Sequence, residues 1–187
     1  MKEEIKKAIK VMSEGGVILY PTDTIWGIGC DATNEKAVAK VYQIKKRIDS
    51  KALICLVDNE VKIDYYVDTP PEIAFDLIEA SQKPMTVIYD KGRNLAPNLL
   101  AEDGSIAIRV THEEVSQQLC RQFRKAIVST SANVSGEPSP LCYNDVSEEI
   151  RQGVDYILPL RQDEAPGSKP SSIVKLGAGG VVKVIRP

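Results

Sequence analysis

Histidine is almost missing from this 187-residue chain: His112 is the only one. A single imidazole excludes a histidine-rich zinc site and argues against a Ser–His or Cys–His relay. Aromatic residues are scarce, at 5%, which speaks against the stacking platforms of single-strand nucleic-acid binders. The four cysteines, Cys30, Cys55, Cys120 and Cys142, lie far apart, so no Cys-x-x-Cys metal or redox pair exists. Three of them sit in or beside apolar runs and read as buried, reduced thiols. No apolar run approaches the roughly 18 residues that a membrane span needs. The start, Met1-Lys2-Glu3-Glu4-Ile5-Lys6-Lys7, reads as a charged helix rather than a signal peptide, so the expectation is a cytoplasmic protein with no membrane partner. Gly27-x-Gly29 lacks the third glycine of a dinucleotide fingerprint, and no Gly-Lys-Ser/Thr P-loop occurs. A net charge of −2 argues against a strongly basic nucleic-acid binder, although a local basic patch can hide beneath that average.

What is present fits one α/β domain over residues 1–187, with 43% hydrophobic and 27% charged residues. Glu3 to Glu14 has helical spacing (Ile5, Ala8/Ile9, Met12) and stops at Gly15-Gly16. Val17 to Tyr20 reads as a strand, ended by Pro21. The mixed stretch from Thr22 to Ala32 reads as a loop entering a second strand. Asn34 caps a helix that buries Val38, Val41 and Tyr42 and ends in Lys45-Lys46-Arg47. Strands are expected at 52–57, 85–89, 106–110, 126–128 and 156–158, and a strand pair joined by glycines at 171–186. Helices are expected over 70–80 and 145–152. Asp90 to Ser105 reads as a long surface loop. Thr111-His112-Glu113-Glu114 fits a capping box with Thr111 as cap, opening a helix that buries Val115, Leu119 and Phe123. Alternation of helices and strands predicts a twisted mixed sheet flanked by helices.

Three polar features stand out from this frame. After the strand Ala126-Ile127-Val128 comes Ser129-Thr130-Ser131-Ala132-Asn133-Val134-Ser135-Gly136-Glu137-Pro138-Ser139-Pro140, a run of neutral donors and acceptors. It reads either as a serine-rich turn or as a ligand loop in the crevice beyond the carboxyl ends of the strands. Lys45-x-Arg47 either answers the helix dipole or reaches a polyphosphate, with Lys46 facing solvent. Arg109, near a strand end, is either a solvent-facing edge residue or the partner of an anion. With the Thr/Trp loop and Arg186, these features can hold a nucleoside triphosphate without a P-loop. Phosphoryl and nucleotidyl transfer ask mainly for positioning and electrostatic stabilisation.

Pro21-Thr22-Asp23-Thr24-Ile25-Trp26-Gly27-Ile28-Gly29, Lys45-x-Arg47, Ser131-Ala132-Asn133-x-Ser135-Gly136-x-Pro138-Ser139 and Ser171-Ser172-Ile173-Val174 occur in the order seen in the YrdC-like family. The chain resembles its short, single-domain form from about Ile5 to Arg186. The resemblance implies a twisted α/β sheet with a large concave cavity and L-threonylcarbamoyladenylate synthase activity. In that reaction L-threonine, bicarbonate and ATP, accompanied by Mg²⁺, give threonylcarbamoyl-AMP and diphosphate. By position, Lys45, Arg47, Ser131 and Asn133 are implied around the phosphates and the reacting carbamate. Lys51, Ser105, Ser139 and Arg186 are implied at ATP, and Thr24, Arg109, Ser129 and Ser171 at threonine, with Arg109 on its carboxylate. No side chain is implied to bind the metal, which ATP carries. The implied partners are the tRNA threonylcarbamoyltransferase machinery that acts beside the anticodon, and tRNA or double-stranded RNA. The chain departs from the family at Trp26 (usually Tyr), Ile48 and Ala52 (usually Pro), Leu56 (often His), Thr111 (usually Pro) and Ser172 (usually Thr). The competing reading is a double-stranded RNA or tRNA binder of the same fold without synthase activity.

Overall fold

Short apolar strands and amphipathic helices alternate along the chain and build one nine-stranded mixed sheet. The computed structural model describes residues 1–47, 53–165 and 169–187. Its strands are β1 (Ile18–Tyr20), β2 (Gly27–Gly29), β3 (Ile54–Val57), β4 (Met85–Tyr89), β5 (Ile106–Val110), β6 (Ile127–Ser131), β7 (Tyr156–Ile157), β8 (Ser172–Leu176) and β9 (Val182–Arg186). The helices are α1 (Lys2–Ser13), α2 (Glu35–Ile44), α3 (Ile63–Tyr66), α4 (Glu72–Ala80), α5 (Glu114–Phe123) and α6 (Glu148–Gly153). Across the sheet the order is β7-β1-β2-β6-β3-β5-β4-β8-β9. The pairs β1–β7, β3–β5 and β4–β8 are parallel and the other neighbours antiparallel.

Because side chains alternate along a strand, each face of the sheet has its own cover. One face carries Val17, Leu19, Ile28, Cys55, Val57, Val87, Ile108 and Val128. They join a core with Val38 and Val41 of α2, Tyr66 of α3, Ala74 of α4 and Ile150 of α6. The opposite face carries Ile18, Tyr20, Leu56 and Ile127, covered by Ile5, Ala8 and Met12 of α1 and Val115, Leu119 and Cys120 of α5. That second cover is partial, and the hollow described below opens beyond it. Cys30, Cys55 and Cys120 are buried and all four thiols are free; burial pushes those three upward from the ordinary thiol range.

Several local expectations change. The cations Lys45-Lys46-Arg47 do not form the last turn of α2 but follow it. Lys46 takes φ +50°, its N–H bonds to Gln43 O at 3.0 Å, and Arg47 N–H bonds to Tyr42 O at 2.9 Å. This is a Schellman stop with lysine in the left-handed position. α5 is capped by Glu113, not Thr111: its carboxylate accepts from Val115 N at 3.0 Å and Ser116 N at 2.8 Å. The Thr111 hydroxyl is instead buried against Ser116 Oγ at 2.8 Å, His112 precedes the helix as an exposed residue, and Phe123 is only half-buried. The 90–105 segment is not wholly superficial, since Leu99 is fully buried and Asn98 O accepts from the Tyr42 hydroxyl at 2.9 Å. The helix expected from Asp145 starts only at Glu148, where the Ser147 side chain caps it; Tyr143–Asp145 form a separate 3-10 turn.

Candidate functional site

Ser129, Thr130 and Ser131 are not loop residues: β6 runs through them. Ser131 pairs with Gly27 on one side and Ser129 with Ile54 on the other. Ladder pairing on both sides overrides the turn preference of serine. The register therefore lays Ser129, Ile54, Ala107, Ile88 and Lys175 in one row across β6, β3, β5, β4 and β8. The next row holds Leu56, Arg109, Thr86, Ile173 and Arg186. Both rows lie on the face that α1 and α5 cover only in part. Where the cover ends, the sheet floors a cavity of about 440 Å³. The ligand hollow thus lies on the sheet face, rather than only beyond the strand ends.

The β1–β2 connection forms one wall. Thr22 Oγ1 accepts from Thr24 N at 3.1 Å and donates to Ile25 O at 2.7 Å, which fixes the turn and aims Thr24 and Trp26 at the cavity. Trp26 packs on the Tyr143 ring with centroids 5.0 Å apart, and the Arg151 guanidinium lies over that same ring. Gly27 lines the cavity, and a Cβ there would meet nothing closer than 3.4 Å. Gly29 is required for a different reason. A Cβ there would sit 2.6 Å from both Tyr20 Cε1 and Val128 O.

Arg109 lies on a central strand, not an edge, and is 4% exposed. Its Nη2 lies 2.9 Å from Asp23 Oδ1 and 3.4 Å from Thr24 Oγ1. Burial raises the Asp23 carboxyl above its usual range, against the opposing pull of Arg109. Across the floor, Ser171 Oγ shares a 2.8 Å hydrogen bond with Thr86 Oγ1, and Arg186 Nε donates to Ser171 O at 2.7 Å. Burial, then the proximity of Arg109, lowers Arg186 from its ordinary value. Ser105 is held by its N–H on Asp103 Oδ1 at 2.9 Å.

Of the residues singled out from sequence, Thr24, Arg109, Ser129 and Ser171 line this one cavity, as do Arg47, Ser131, Ser139, Ser105 and Arg186. Lys51 lies outside the described residues. Lys45 and Asn133 do not line the cavity. Lys45 is 2% exposed, and its Nζ donates to Ser131 O at 2.6 Å and Asn133 O at 2.7 Å. It fastens the end of α2 to the end of β6, and Ser135 N–H returns a bond to Lys45 O at 2.9 Å. Burial, with Arg47 nearby, lowers Lys45 to about 8; burial also lowers Arg47. The Asn133 amide nitrogen donates to Val134 O and Glu137 O, while its buried Oδ1 has no partner. Lys46, exposed as expected, pairs with Glu149 at 2.6 Å.

Two residues escaped the sequence reading. Lys175 lines the cavity because its position in the β8 register puts it there. Asp23 belongs to the Pro21–Gly29 motif, and one acid in a loop gives no sign that it will meet an arginine 86 positions away. Leu56 is fully buried among Ile5, Leu119 and Ile127 and is not part of the cavity lining.

Residues 10–187 match the family model Sua5/YciO/YrdC, described as telomere recombination. The chain is 35% identical over 181 residues to the threonylcarbamoyl-AMP synthase of Hahella chejuensis, covering 96% of this chain and 97% of that one. It is 33% identical over 174 residues to the threonylcarbamoyl-AMP synthase of Pseudoalteromonas translucida, covering 90% and 91%. Among solved structures, E. coli YciO superposes with a TM-score of 0.86 at 23% identity, over 100% of this chain and 89% of that one. P. abyssi Sua5 complexed with L-threonine superposes with 0.84 at 24% identity, over 98% of this chain but only 53% of that longer one. Those two structural likenesses speak to the fold. Together with the family match over nearly its whole length, they leave one conclusion: the chain belongs to the Sua5/YciO/YrdC family.

Proposed function

We propose that this chain is a threonylcarbamoyl-AMP synthase, converting L-threonine, bicarbonate and ATP to threonylcarbamoyl-AMP, diphosphate and water. The observation that carries the reading is the charge of the cavity. Arg47, Arg109, Lys175 and Arg186 line it, and among the described residues no carboxylate does. Such a lining suits a triphosphate and an amino-acid carboxylate together.

In this reading Arg109 takes the threonine carboxylate, with Thr24, Ser129 and Ser171 offering hydrogen bonds to its other polar groups. Arg47, Ser131, Ser139, Ser105 and Arg186 receive ATP. The threonine nitrogen, freed of a proton, bonds to the carbon of carbon dioxide supplied by bicarbonate. An oxygen of the resulting carbamate attacks the α-phosphorus, and the bond to the bridging oxygen breaks as diphosphate leaves. Arg47 stabilises the charge that builds on the phosphates. Lys45 and Asn133 serve by locking Ser131 against the end of α2, and Lys45 adds its charge from behind that wall. No side-chain nucleophile is needed, in keeping with a lone, exposed His112.

Magnesium fits this chain only as a passenger on ATP. Among the described residues no acidic side chain lines the cavity and no cluster of three metal-ligating side chains occurs. The product is a mixed anhydride, and we propose that it is consumed in the cytoplasm by a transferase acting on adenosine beside the anticodon of tRNA. No helix among the described residues is long and apolar enough to cross a membrane. The reading of the chain as an RNA-binding module is not favoured by relatives named as synthases. The test is threonine-dependent exchange of labelled diphosphate into ATP. Wild type should support it, and Arg47→Ala should lose about 10²–10³-fold; equal rates in both would remove Arg47 from the reaction.

A further inference from the structure

Asp23 lies outside the lining of the large cavity. It lines a smaller one of about 160 Å³ instead, with Lys83, Val110 and His112. Because Arg109 lines the first cavity and Asp23 the second, their ion pair is part of the wall between them. The two side chains are 4% and 12% exposed and 2.9 Å apart. Glu113, the other acid whose charge acts on Asp23, is already occupied by the α5 backbone and by Arg161 at 3.0 Å. Arg186, which approaches Arg109 from the cavity side, only adds positive charge. Asp23 is therefore the carboxylate that compensates Arg109 in the ligand-free protein. Arg109 Nε remains buried without a partner, so the guanidinium still has a donor to offer.

A buried guanidinium can be compensated by a fixed carboxylate, by an arriving one, or by both at the cost of their mutual repulsion. We propose that Asp23 is an internal counterion that competes with the carboxylate of the amino-acid substrate for Arg109, and thereby sets how tightly that substrate is held. The proposal rests on the synthase reading only for the identity of the ligand, threonine. With Asp23 ionised, the empty site is stable and threonine is bound with restraint. With a neutral residue there, Arg109 loses its compensation in the empty protein and recovers it only when a ligand carboxylate arrives.

That linkage gives the Asp23→Asn variant, which keeps the shape of the side chain and removes its charge, two opposite effects. Its melting temperature without ligand should fall. Its threonine affinity, by calorimetry, should rise by roughly tenfold, from removal of one like charge near the ligand carboxylate. Threoninol, which lacks the carboxylate, should bind both proteins alike. A merely structural role lowers the melting temperature and leaves threonine affinity unchanged; a role in holding Arg109 in place weakens threonine binding. Either result overturns the proposal, as does an equal gain for threoninol. Asp23→Ser is read in the same way if the Asn variant does not fold. A wild-type protein that binds neither threonine nor ATP refutes the synthase reading and this proposal together, whereas threonine binding that Asp23→Asn leaves unaltered refutes only the counterion.

Discussion

Lys45 links the fold to the site through a single proton. Its ammonium is 2% exposed and rests on two carbonyls, and burial brings it to about 8 from an ordinary 10.5. Between these values the unfolded chain binds the proton more strongly than the folded one. By linkage, stability then rises with pH across that window, and the penalty of burying the charge is fully present below pH 8. Between pH 7 and 9.5 the relief amounts to about 2 kcal/mol, and the full shift corresponds to about 3 kcal/mol. The perturbation is Lys45→Met, which keeps the length of the side chain and removes the proton. Urea unfolding of both proteins at pH 7 and 9.5 isolates the residue, since every other titrating group is common to both. Wild type should gain about 2 kcal/mol relative to the variant on going to the higher pH. Parallel pH dependences in the two proteins would refute the placement of a charged Lys45 in the wall.

Three further outcomes follow from the same geometry. ATP affinity of wild type should fall as pH rises through about 8, where Lys45 loses its charge, and binding at pH 8 should take up protons; calorimetry in buffers of different ionisation enthalpy reads both. Gly29→Ala should cost about 2–4 kcal/mol, because its Cβ meets Tyr20 and the Val128 carbonyl at 2.6 Å, whereas Gly27→Ala should fold normally; thermal melts separate the two. Leu56→His should destabilise by about 3 kcal/mol without tightening threonine binding, since it would place an imidazole in the apolar contact of α1 and α5.

Element positions were legible in the sequence wherever apolar periodicity was strong, as in α1, α2 and the pairs β4–β5 and β8–β9. What it hid came from partners distant in sequence. Ser129–Ser131 looked like a turn, and only the two flanking strands, β2 and β3, make them a ladder. Thr111 looked like a cap because it precedes a helix, yet Glu113 has the shorter reach to the free N–H groups and Thr111 has Ser116. The cavity residues were found as scattered hydroxyls and cations. Strand register brings Ser129 and Ser131 to the hollow, whereas the stop after α2 brings Arg47 to its lining and leaves Lys45 buried on the carbonyls of Ser131 and Asn133. Asp23 and Lys175 show the limit most plainly, because their roles arise only when the strands are laid side by side.

The central claim is that threonine and ATP share the one hollow on the sheet face. A crystal structure with threonine and a non-hydrolysable ATP analogue tests it most directly. The amino-acid carboxylate should lie within hydrogen-bond distance of Arg109, and the phosphates between Arg47 and the Ser131–Ser139 segment. Density for either ligand elsewhere on the molecule, with this cavity empty, would contradict it.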